Sequence, residues 1–121
     1  METVDLHSRS SVGLVSNEVL SSVWGLSGIT EIEGYLVIKN NTSLSQLNGL
    51  EGLLDIGSYL SIESNDMLTD VMALHGLQSI AGKFEVIDNL LLSVDSVTAL
   101  YEAIGEENIS GEIIISGNGG N

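Results

Sequence analysis

Side chains able to perform acid–base, nucleophilic or metal chemistry are few in this chain, and they are scattered. His7 and His75 are the only groups that ordinarily titrate near neutral pH. They stand in unlike contexts, His7 in an alternating N-terminal segment and His75 in a row with Ser27 and Glu51, so a solvated role is expected for both rather than a metal pair or a catalytic base. Serines are abundant, yet neither a Gly-x-Ser-x-Gly elbow nor a Ser-His-Asp arrangement occurs. The absence of cysteine excludes a thiolate nucleophile, a disulfide framework and any Cys-ligated zinc or iron–sulfur site. Glu31, Glu33 and Asp55 are carboxylates that a repeat would bring together, but the Asp-rich spacing of calcium-binding repeats is missing, and a solvated acidic face is the expectation. The tail Gly117-Asn118-Gly119-Gly120-Asn121 has no lysine or helix after it and is no phosphate loop. Asn40, Asn41 and Asn108 begin glycosylation sequons by formula, but Asn41 belongs to an internal row with no room for a glycan. The chain is therefore expected to be no enzyme and to carry no metal or cofactor.

Composition narrows the partners. The 121 residues hold 17 Asp plus Glu against 3 Lys plus Arg, a formal charge of -14, with 14 glycines and no proline. So few basic residues cannot neutralise a row of phosphates, and an acidic surface is repelled by nucleic acid and anionic lipid alike. With 43% hydrophobic residues the chain is nonetheless rich enough to fold, as a single domain over 1–121. No apolar run approaches the roughly 20 residues of a membrane-spanning helix, and none is shaped as a signal peptide. A cytoplasmic location is expected for the sequence as written, and export if a signal peptide has been removed.

What positions these residues is a repeat. Gly34-Tyr35-Leu36-Val37-Ile38-Lys39-Asn40-Asn41 aligns with Ser58 to Asn65 and with Gly82 to Asn89 at steps of 24 residues, with Ser10 to Asn17 before them and Gly111 to Asn118 after a longer interval. Each segment alternates, with Val12 and Leu14, Leu36 and Ile38, Leu60 and Ile62, Phe84 and Val86, Ile113 and Ile115 on one face, which predicts five strands within 10–118. Between strands the apolar residues recur at every third position, as in Leu44, Leu47, Leu50, Leu53 and Ile56. A three-residue step falls about 60° short of a helical turn, so such a row would wind around a helix. The spacing predicts instead an all-β, right-handed parallel β-solenoid of 24-residue coils. Asn17, Asn41, Asn65, Asn89 and Asn118 follow the strands at one position, and stacked amides offering donors and an acceptor predict an asparagine ladder. Gly34, Gly82 and Gly111 precede three strands, where a positive φ is expected. The period breaks once, where Val97, Leu100, Tyr101 and Ile104 follow helical spacing; a short helix over 95–105 is predicted, capped by Asp95 or Ser96 and ended by Gly105. Residues 1–9 alternate as a capping strand, and 119–121 form a tail.

Gly-x-Leu-x-Ile-x-x-Asn, followed by leucines at every third residue and an Ile two residues before the next Gly, resembles the receptor L domain family of leucine-rich-repeat-like solenoids over about Val12 to Asn118. The lack of cysteine makes the chain similar to bacterial stand-alone versions rather than animal receptors. The resemblance implies a fold and a non-catalytic role; it carries over no ligand residue, because the motif is structural.

The outward side of the predicted sheet holds the candidate binding residues. Tyr35 should lie beside Tyr59, with Val37 adjacent, Lys39 opposite Glu63, and Lys83 and Glu85 on the next strand. Aromatic residues with apolar and charged neighbours suit a rigid face that holds a protein or glycan partner, against the alternative of ordinary cross-strand pairing on a solvated face. Ile87, Glu112, Ile114 and Ser116 mark a second candidate surface, for self-association as a homodimer. A third reading, an acidic mimic of nucleic acid that occupies a basic protein, rests on charge alone.

Overall fold

A computed structural model describes residues 11–16, 23 and 26–119. In chain order the strands are β1 (Val12–Val15), β2 (Glu31–Ile32), β3 (Leu36–Lys39), β4 (Asp55–Ile56), β5 (Leu60–Glu63), β6 (Ser79–Ile80), β7 (Phe84–Ile87) and β8 (Ile113–Ser116), with the helix α1 (Val94–Ile104) between the last two. They build two parallel sheets, one of five strands in the order β1-β3-β5-β7-β8 and one of three in the order β2-β4-β6. Register follows the repeat: Leu36 pairs with Leu60 and Leu60 with Phe84, so equivalent residues lie side by side and every inward position meets its counterpart one unit on. Leu36, Ile38, Leu60, Ile62, Phe84 and Val86 are consequently sealed in the core.

The expectation of an all-β solenoid needs correction. The fold mixes α and β, with two separate parallel sheets, a helix and two short 3-10 helices (Met72–Gly76 and Glu106–Asn108), and no closed solenoid is detected among the described residues. The cause lies in the segments between the sheets. Their three-residue apolar spacing is realised by turns, in which Leu44 N–H donates to Asn41 C=O, Leu50 to Leu47 and Leu53 to Leu50. Such i→i+3 bonds return every third side chain to the same side without making a strand. Leu44, Leu47, Leu50 and Leu53 are buried in this way, and Leu68, Val71, Leu74 and Leu77 repeat the arrangement one unit later. In the last unit the same interval becomes α1, which packs Val97, Leu100 and Ile104 into the core.

The helix begins one residue before the range expected from sequence. Its cap is Ser93, whose Oγ accepts from Ser96 N–H at 3.1 Å, rather than Asp95 or Ser96. Gly105 ends it at φ 91°. The expected N-terminal strand over 1–9, and Asn17 with it, lie outside the described residues.

Two backbone features differ from the sequence reading. Gly34, Gly82 and Gly111 do not take a positive φ. At Gly82 the requirement is proximity, since a Cβ would stand 2.9 Å from the carbonyl carbon and oxygen of Ser58, and at Gly111 it would run into the backbone of Gly82 and Lys83. The left-handed conformation falls instead on the residue just before each asparagine position: Ser16, Asn40, Ser64 and Asp88 at φ 58–59°, and Gly117 at 71°. One such residue per unit reverses the chain as it leaves the five-stranded sheet.

Candidate functional site

The outer face of the five-stranded sheet gathers Tyr35, Tyr59 and both lysines of the chain. Tyr35, Tyr59 and Lys83 each immediately precede a strand and sit at equivalent positions, so parallel pairing of β3, β5 and β7 sets them in a row. The rings of Tyr35 and Tyr59 stack with centroids 5.1 Å apart and planes 16° from parallel. Lys83 Nζ lies 5.3 Å from the centroid of Tyr59, within cation–π range. Since β5 lies between β3 and β7, one side of Tyr59 is taken by Tyr35 and the other by Lys83.

The neighbouring rows are polar and partnered. Lys83 Nζ reaches Glu85 Oε1 at 3.3 Å, and Ser61 Oγ donates to the same carboxylate oxygen at 3.1 Å. Lys39 approaches Glu63 at 3.9 Å across the β3–β5 pair. Both ion pairs are partly exposed and contribute little to stability, so they serve to orient charge at the surface. Val37 is half-buried among them. Ser61, on the outward side of β5, is only 5% exposed, shielded by the long side chains beside it. The second set of candidates is divided: Ile87 and Ile114 are half-buried on this face, whereas Glu112 and Ser116 are exposed at its end.

Just beyond the C-terminal ends of the strands runs a chain of amides. Asn41, Asn65 and Asn89 are fully buried. Asn65 Oδ1 accepts from Asn41 N–H at 3.0 Å and from Asn41 Nδ2 at 3.1 Å, while Asn65 Nδ2 donates to Ile38 C=O at 2.9 Å and to Asn89 Oδ1 at 3.1 Å. Asn89 repeats this with Asn118 and Ile62, and Asn118 Nδ2 donates to Val86 C=O. The side chains of Asn65 and Asn89 thus use both donors and both acceptor sites. This leaves them no capacity for a ligand, and they hold the units in register.

The remaining chemistry is sparse. Glu31 pairs with Asp55 in the β2–β4 register, and Asp55 Oδ1 accepts from Ser79 Oγ at 2.7 Å. Among the described residues no group of three His, Asp or Glu side chains is placed to hold a metal. His75, expected to be solvated, has its Nε2 buried with no hydrogen-bond partner among the described residues. His7 lies outside the described residues. The sequence does not signal four exposed apolar residues, Met67, Leu90 and Leu91 at the turns leaving β5 and β7 and Val94 at the start of α1, because the repeat offers no alternation there. No helix of the described residues is long and apolar enough to cross a membrane. No family model, curated protein or solved structure matches the chain.

Proposed function

We propose that the protein is a non-catalytic recognition module that binds a protein partner through the outer face of its five-stranded sheet, at the row Tyr35–Tyr59–Lys83 and the flanking Val37, Lys39, Glu63 and Glu85. The observation that carries this reading is convergence. In a chain of net charge -14, both lysines of the sequence stand on one face beside two stacked tyrosines. Random placement on a solvated surface gives no reason for this, whereas aromatic residues among oriented charges are the composition of contact surfaces.

The geometry favours protein over glycan. Sugars stack on open ring faces, and here both faces of Tyr59 are taken, so the central ring of the row offers its edge and hydroxyl. Oriented Lys–Glu pairs beside them match the polar and charged groups of a peptide surface. The supporting sheet, paired in register through β1-β3-β5-β7-β8, keeps the row rigid and lowers the ordering cost of association.

Peptide and glycan arrays probed with the parent and with Tyr59→Ala and Lys83→Ala test this. Binding to a peptide set that falls about tenfold or more in both variants is expected, the scale of a contact residue worth over 1 kcal/mol. Equal binding by parent and variants would overturn the face, and selective glycan binding would transfer it to the other partner class.

A further inference from the structure

The two ends of the five-stranded sheet are unlike. At the β1 end the inward residues are covered, with Val12 6% and Leu14 2% exposed. At the β8 end they are not. Ile115 pairs with Val86, which is fully buried, yet Ile115 itself is 36% exposed, and Ile113 beside Phe84 is only partly buried. The helix α1 leaves Ile115 exposed. It contacts the 3-10 segment Met72–Gly76 of the preceding unit and so fills the last layer instead of lying beyond it.

The backbone is open there as well. Phe84 N–H donates to Glu112 C=O at 2.9 Å and Asp88 N–H to Ser116 C=O at 3.0 Å, so the even-numbered residues of β8 direct their groups at β7. In a parallel strand the alternate residues direct theirs the other way. The N–H and C=O of Ile113 and Ile115 therefore point outward along an edge that no strand of the described residues pairs with. Edges of this kind are ordinarily blunted by lysine, proline or a bulge, and residues 113–116 are Ile-Ile-Ile-Ser.

We propose that this edge is a homodimer interface, in which β8 pairs antiparallel with β8 of a second copy about a two-fold axis. A head-to-tail contact onto β1 is disfavoured, because the inward residues there are already buried. A two-fold contact uses the open edge of both copies and closes the assembly. Register follows from alternation. Opposed residues in an antiparallel pair share a face, so Ile113 and Ile115 must meet each other's counterparts, which centres the pair on Ile114. The outward groups of Ile113 and Ile115 then form the hydrogen-bonded pairs, and Ile114 faces its own copy in a non-bonded pair with Cα atoms about 4.5 Å apart. Glu112 falls opposite Ser116, so no two carboxylates of the strands are opposed. The contact is thus the strand edge, with Ile113 and Ile115 at its core, rather than the outer side marked by Ile87 and Ile114. Two chains of charge -14 repel, and added salt strengthens the dimer by screening.

The test uses the full chain and its freedom from cysteine. Light scattering should give a dimer at high micromolar concentration in moderate salt, and Ile115→Lys should give a folded monomer by circular dichroism. Under mild oxidation Ile114→Cys should cross-link to a single covalent dimer about tenfold or more faster than Val37→Cys, because pairing raises the local thiol concentration towards the millimolar range and places the sulfurs within disulfide geometry. Glu112→Cys should not link to itself. A monomeric parent, or equal rates for Ile114→Cys and Val37→Cys, would overturn the interface; rapid self-linking of Glu112→Cys would overturn its register. If Ile115→Lys fails to fold, the cross-linking rates still decide.

Discussion

Replacing Asn65 by alanine is the sharpest probe of what holds the repeat units together. The side chain accepts two hydrogen bonds from Asn41 and donates two, to Ile38 C=O and Asn89 Oδ1. Its removal does not strand all four partners equally. Asn41 Nδ2 keeps its bond to Leu14 C=O, and Asn89 Oδ1 keeps the Asn65 N–H. Ile38 C=O faces β5, as the other even-numbered residues of β3 do, and keeps its place in the parallel ladder, so the main loss is the bond from Asn41 N–H to Asn65 Oδ1 in a region closed to solvent. At about 1–3 kcal/mol for a buried hydrogen bond lost without replacement, Asn65→Ala should cost about 1–3 kcal/mol. Asn65→Asp divides the effect: the carboxylate still accepts from Asn41 but sets negative charge against Ile38 C=O and Asn89 Oδ1, so it should destabilise more at neutral pH than in acid, where a protonated carboxyl again donates. Asp66→Ala, at an exposed neighbour, should stay within about 0.5 kcal/mol. Asn40, also adjacent in sequence to a ladder residue, is unsuitable as a control because its φ of 59° makes alanine strained. Urea melts followed by circular dichroism measure all three variants. Equal midpoints for Asn65→Ala and Asp66→Ala would refute a structural role for the buried amides.

Leu60→Ala should cost about 2–5 kcal/mol in the same melts, because Leu36 and Phe84, packed on either side of it, cannot both close the gap, whereas Lys39→Ala on the outer face should change stability by less than about 0.5 kcal/mol. Gly111→Ala should lower stability by about 1–3 kcal/mol, since the new methyl collides with the Gly82–Lys83 backbone, and a neutral result would contradict the close stacking of units. Tyr101 has its phenol held above the ordinary 10.0 by desolvation first, then by the charge and hydrogen bond of Glu106 and the charges of Glu102 and Glu107. The folded form therefore favours neutral tyrosine: stability from this group is intact below about pH 10 and falls as pH rises through the elevated value, and Tyr101→Phe should remove that alkaline loss in melts followed against pH.

The repeat step was legible because each unit writes the same inward residues into paired strands; Leu36, Leu60 and Phe84 are adjacent in sequence alignment and in space. The asparagine spacing was visible for the same reason, and Asn41, Asn65, Asn89 and Asn118 are joined by hydrogen bonds. The leucine spacing does not fix the architecture of the intervals between the sheets. Leucines three residues apart report only which side chains point inward, and turns, 3-10 segments and α1 all satisfy that requirement, so the all-β label did not follow. The glycines carry a different lesson: Gly82 and Gly111 are needed for closeness to the preceding unit, which a linear sequence does not display, while the left-handed position is held by Asn40 and Asp88, types that tolerate it, and equally by Ser16 and Ser64, types that do not announce it. On the outer face, the adjacency of Tyr35 and Tyr59 could be read from the register, but the screening of Ser61 depends on how Lys83 and Glu85 lie across it.

The recognition face is tested most directly by backbone amide chemical shifts of the parent protein, titrated with a peptide selected on the array. The account predicts perturbations concentrated at Tyr35, Val37, Tyr59, Ser61, Lys83 and Glu85, with little change at Met67, Leu90, Leu91 and Val94. Perturbations centred on those four apolar residues, with the tyrosine row silent, would contradict it.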